Sequence, residues 1–141
     1  MAGIVRYGTY LPYFRLQRSA IGGGKGERTV ASYDEDSVSM AVEAARDAVR
    51  GGVAIDAVLF ATTSPAYAEK LDAATIQAAL DLPESVSSVE LGGSSRMGLA
   101  ALLLGLDLAA AGQSLPIHPG AEDGEVHERR IDAVVGHGLR S

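Results

Sequence analysis

The sequence predicts an α/β domain, a mostly parallel sheet with helices on its faces and one buried central helix. Three observations carry this. Between Asp36 and Val49 apolar residues recur at helical spacing. The continuous apolar run Val58-Leu59-Phe60-Ala61 follows, as expected of a strand covered on both faces. A further strand over 86–91 then turns through glycines into a helix over 95–111 with leucine or alanine on nearly every side. Strand, helix, strand, helix, strand, helix in that order gives a layered α/β pattern.

Residues 4–7 form a short apolar opening closed by Gly8 and Pro12, which reads as a first strand. Residues 10–18 mix aromatics with arginines and read as a loop on the domain edge. Residues 21–35 hold Gly-Gly-Gly-Lys-Gly-Glu-Arg and read as a mobile surface loop. Their spacing does not match a phosphate-binding loop. Asp34-Glu35-Asp36-Ser37 supplies the acidic, hydroxyl-bearing start that a helix N-terminus favours. Ala41, Val42, Ala45, Ala48 and Val49 then face a sheet, while Glu43, Arg46, Asp47 and Arg50 face water. Gly51-Gly52 ends the helix. The strand over 53–61 stops at Thr62-Thr63-Ser64-Pro65, and Asp72 is expected to cap a second helix over 73–80.

Totals exclude several classes. With 141 residues and 47% apolar composition, one domain can bury a real core. There are 12 Lys/Arg against 18 Asp/Glu, a net charge of −6, without a basic cluster. Nucleic-acid binding, which needs concentrated positive charge, is not expected. The absence of cysteine excludes disulfides, thiolate zinc sites and thiol nucleophiles. The opening residues lack a signal-peptide pattern. The most apolar stretch, 99–111, falls short of the ~20 residues that span a bilayer. A cytoplasmic protein without membrane contact is expected.

The turn Gly92-Gly93-Ser94-Ser95 is the main candidate site, since a strand-to-helix turn presents a side chain at the positive end of a helix. Three roles stand open for its serines: a structural helix cap, the lining of a ligand pocket, or a covalent nucleophile. The hydrolase elbow Gly-x-Ser-x-Gly is approached but not met. From Gln113 the character changes. The tail holds His118, His127 and His137 at spacings that fit no compact metal motif. One short strand over 131–135 is its only expected element. The chain therefore divides into a domain over 1–112 and an irregular tail over 113–141.

Several segments together resemble one family. Gly-Ile-Val-Arg-Tyr-Gly-Thr-Tyr-Leu-Pro-Tyr-Phe-Arg-Leu at 3–16 resembles the opening of hydroxymethylglutaryl-CoA synthases and related ketoacyl synthases of the thiolase superfamily. So do Asp34-Glu35-Asp36 with the helix after it, Leu59-Phe60-Ala61-Thr62-Thr63-Ser64-Pro65-Ala66-Tyr67, and the turn at Ser95. The order and intervals agree from Gly3 to Ala111, and no likeness is visible after Gln113.

The resemblance implies the N-terminal half of a thiolase-like fold built from two duplicated halves. It implies a cysteine at the start of the buried helix that takes an acyl group from coenzyme A or a carrier protein, followed by Claisen-type condensation. Ser95 stands at that cysteine's position, Thr63 at that of the family's acid/base glutamate, and Gly92, Gly93 and Ser94 form the turn and oxyanion region. The family's assisting histidine belongs to a second half that this sequence lacks. The expectation is an acyltransferase fragment, inactive alone, with no tightly bound cofactor and acyl-CoA as its substrate or ligand. Its partner would be a second copy or a related thiolase-like subunit, with 86–90 as the pairing edge and apolar surface left exposed on the leucine-rich helix. The alternatives are an acyl-CoA acyltransferase working through Ser95, and a non-catalytic acyl-CoA-binding subunit.

Overall fold

The computed structural model describes residues 2–112. Its elements are β1 (Phe14–Gln17), a 3-10 turn (Arg18–Ile21), β2 (Glu27–Val30), α1 (Ser37–Ala48), β3 (Ala57–Ala61), α2 (Asp72–Ala79), β4 (Ser87–Leu91) and α3 (Met97–Ala111). The expected strand over 131–135 and the three histidines lie outside the described residues.

The centre is the parallel pair β3–β4, in register from Ala57↔Ser87 to Ala61↔Leu91. Strand alternation divides its side chains between two faces. Val58 and Phe60 enter a core with Val38, Ala41 and Val42 of α1 and with Ala73 and Ile76 of α2. Leu59 and Ala61 point the other way, onto Ala101 of α3 with Met97, Leu104 and Leu108 around it. Three layers result, α1 and α2 on one face and α3 on the other. All five residues of β3 are buried, as its unbroken apolar run predicts.

α1 begins where its acidic start predicts. The Asp36 carboxylate accepts the Ser39 N–H at 2.7 Å, and the Ser39 hydroxyl accepts the Asp36 N–H at 2.8 Å, a reciprocal capping box. Glu43, Arg46, Asp47 and Arg50 are exposed as expected. Past the helix, Gly51 and Gly52 take φ of 93° and 76°, the left-handed region that glycine adopts freely.

Four expectations change. Residues 4–7 form no strand: they have no ladder partner, and Ile4, Val5 and Tyr7 are exposed. Residues 10–35 are not simply loop. β1 and β2 pair there as an antiparallel hairpin, Phe14↔Val30 to Gln17↔Glu27, closed by Arg18 N–H to the Gly26 carbonyl at 2.9 Å. The glycine-rich run reverses the chain between strands of only four residues each, too short to carry a clear periodic signal. Asp72 opens α2 without capping it, because its carboxylate turns back to the preceding loop. Finally, α3 buries only one face fully. Ala101 and Gly105 are buried, whereas Leu99 and Leu103 are 63% and 53% exposed. An apolar helix is enclosed only where a layer lies on each side, and among the described residues the sheet alone packs against it.

Candidate functional site

β3 and β4 run parallel and end level at Ala61 and Leu91, so the segments that leave them share one end of the sheet. Crevices at the carboxyl ends of parallel strands are where such sheets bind ligands. From β3 come Thr62 and Thr63, and from β4 come residues 92–95. Thr62 continues the ladder by donating its N–H to the Leu91 carbonyl at 3.2 Å. A Cβ on Gly92 would meet the Thr62 carbonyl oxygen at 3.8 Å, an ordinary contact, so the two segments touch here. Gly93 has φ 87°, the left-handed turn that swings the chain from strand to helix.

The turn separates its two serines. The Ser94 hydroxyl accepts the Arg96 N–H at 3.2 Å, and the Ser94 carbonyl accepts the Met97 N–H at 3.1 Å. Ser94 therefore satisfies backbone donors at the start of α3. Ser95 is exposed, and its hydroxyl has no hydrogen-bond partner among the described residues. Thr63 is half-buried at the same end. Thr63, Gly92, Gly93, Ser94 and Ser95 thus follow the two strands at the same end of the sheet.

A hydroxyl nucleophile needs a base beside it. The carboxylate closest along the chain is Glu90, but alternation sends it to the far face: Val89 and Leu91 pack toward α3, while Glu90 reaches α2. Its Oε2 accepts the Asp72 N–H at 2.7 Å. The end of α3 alone offers a serine at most about 2 kcal/mol of charge stabilisation, little against a hydroxyl's weak acidity. Among the described residues no group of three His, Asp or Glu side chains could hold a metal ion, and no helix is long and apolar enough to cross a membrane.

Sequence reasoning missed the Asp72–Glu90 arrangement. Asp72 is 0% exposed, and its Oδ2 accepts the Ala66 N–H at 3.0 Å. The readable signal was a charged residue in an otherwise apolar stretch, Leu71-Asp72-Ala73-Ala74, which suggested only a cap.

No family model matches the chain. It is 33% identical to the hydroxymethylglutaryl-CoA synthase of Archaeoglobus fulgidus over 129 aligned positions, covering 79% of this chain and 38% of that protein. It is 31% identical to the synthase of the same name from Caldivirga maquilingensis, covering 96% of this chain and 44% of that protein. That second match runs into the tail, so the expectation of no likeness after Gln113 does not hold. Among solved structures, β-ketoacyl-acyl-carrier-protein synthase III from Thermus thermophilus superposes with TM-score 0.69 at 26% identity, over 79% of this chain and 39% of that one. MvaS in complex with 3-hydroxy-3-methylglutaryl coenzyme A has a like fold, with TM-score 0.69 at 22% identity, over 79% and 31%. The chain spans less than half the length of these proteins. It is related to the thiolase superfamily, hydroxymethylglutaryl-CoA synthase-like in sequence and thiolase-like in fold.

Proposed function

We propose that the chain is the N-terminal, acyl-CoA-facing part of a thiolase-superfamily acyltransferase scaffold and is not catalytic by itself. The observation that carries this is the isolation of Ser95. It stands exposed just before α3, while the nearby carboxylates of Glu90 and Asp72 serve the opposite face of the sheet; the resemblance is what sets it against the family's cysteine. Thr63 takes the acid/base position with a hydroxyl that is too weak an acid and too weak a base to serve there near neutrality. Gly92, Gly93 and Ser94 shape the turn. Acyl-CoA is the ligand and no cofactor is held tightly.

The chain works with a partner. The outer edge of β4 and the Leu99/Leu103 face of α3 are covered by a second copy or by a related thiolase-like polypeptide in the cytoplasm. Exposed apolar side chains one helical turn apart favour such cover.

Acetyl-CoA titration by calorimetry together with intact-mass spectrometry tests the reading. Binding without a covalent adduct is expected. A wild-type adduct that disappears in Ser95→Ala would show a working nucleophile and overturn the non-catalytic reading. No heat of binding would remove acyl-CoA as the ligand.

A further inference from the structure

The loop that leaves β3 is tied down from several elements. Thr62 is fixed to β4 through the Leu91 carbonyl, and its hydroxyl accepts the Ser64 N–H at 3.0 Å. The Ser64 carbonyl accepts the Ser37 hydroxyl of α1 at 2.8 Å. The Ala66 N–H donates to Asp72 Oδ2 at 3.0 Å, and Asp72 is itself located through its own N–H on Glu90 of β4. Thr63 lies between these anchors.

Asp72 is the costly member of the set. It is 0% exposed, and its Oδ1 has no partner. Burying a half-satisfied carboxylate is unfavourable, and a helix start needs none. The first turn of α2 offsets part of that cost, because the helix N-terminus favours negative charge. The bond the carboxylate makes goes outside its helix, to the loop. A side chain kept buried at a cost and spent on one loop amide points to a task in that loop.

We propose that Asp72 is a positioning residue: through the Ala66 N–H it fixes residues 62–66, and so sets Thr63 at the carboxyl end of β3 from the far side of the sheet. Glu90 holds Asp72 in place by its backbone. That this loop borders an acyl-CoA site rests on the function proposed above, whereas the fixing of the loop does not.

The test uses the full chain with Asp72→Ala and Asp72→Asn, reading amide hydrogen exchange at Ala66 and acetyl-CoA affinity by calorimetry. In Asp72→Ala, Ala66 exchange rises about tenfold, the worth of one such hydrogen bond, while amides in α2 keep their protection. Acetyl-CoA affinity falls by a similar factor. Asp72→Asn, whose amide oxygen still accepts, restores both; a purely space-filling role would not separate the two variants in this way. Unchanged Ala66 exchange in a folded Asp72→Ala overturns the proposal, and so does equal loss in both variants. If wild-type protein binds no acetyl-CoA, the ligand reading falls and the exchange result alone decides. If Asp72→Ala does not fold, wild-type exchange decides: Ala66 slower than exposed Ala68 supports the proposal, and equal rates overturn it.

Discussion

Glu90 caps a helix to which it does not belong. From β4 its Oε2 accepts the Asp72 N–H at 2.7 Å, at the first residue of α2, where Leu71 provides no side-chain cap. A charged acceptor at a helix N-terminus both satisfies a free donor and complements the helix dipole. The same contact locks the start of α2 to the sheet.

Glu90→Ala should therefore cost about 1–2 kcal/mol, the usual loss for a removed helix cap. Glu90→Gln keeps an acceptor and should cost less. Urea titration followed by far-UV circular dichroism measures both.

Phe60 is among the largest fully buried side chains, at 0% exposure on the face of β3 that α1 and α2 cover. Phe60→Ala should cost about 3–5 kcal/mol. That is a large share of the roughly 5–15 kcal/mol of a typical domain. A strongly lowered melting temperature is expected. Leu103→Lys, on the exposed face of α3, should leave the melting of the monomer nearly unchanged and reduce self-association in sedimentation velocity.

Gly8 lies against the backbone of α1. A Cβ there would overlap the Ala44 carbonyl oxygen and the Ala48 nitrogen, both main-chain atoms that cannot rotate away. Gly8→Ala should push the N-terminal segment off the helix, at about 1–3 kcal/mol as for other overpacked sites. Faster proteolysis within residues 2–13, with α1 still protected, would report it.

Ser95→Ala should leave the melting temperature unchanged, because the hydroxyl is exposed and holds nothing among the described residues. Ser95→Cys should place a thiol at a helix N-terminus, where its pKa falls below the ordinary thiol value. Iodoacetamide alkylation followed against pH measures that midpoint, and a midpoint at or above the free-thiol value contradicts the placement.

The Tyr10 hydroxyl donates to the Glu35 carboxylate, and this hydrogen bond, with burial and nearby negative charge adding to it, raises the phenol's pKa. A raised folded-state pKa favours the protonated form. The associated stability is complete below the unfolded phenol's pKa and is lost as pH climbs through the raised value. Tyr10→Phe should remove that alkaline loss, as melting temperatures measured from neutral pH upward would show.

The sequence by itself determined the elements whose signals are local. The Asp36 start of α1, the Gly51-Gly52 stop, the buried run of β3 and the glycine turn into α3 are each written in adjacent residues. Periodicity and capping chemistry act within a few positions, so they can be read without a partner. Tertiary structure alone decided the rest. Residues 4–7 look like a strand but found no ladder, and the four-residue segments β1 and β2 became strands because each met the other. Glu90 and Asp72 are 18 positions apart, and their bond exists because a parallel pair set α2 over β4. The apolar helix α3 could be recognised in sequence, yet its covered and open sides depend on which layers are present. Hydrogen bonds and burial between distant segments are properties of the packed chain.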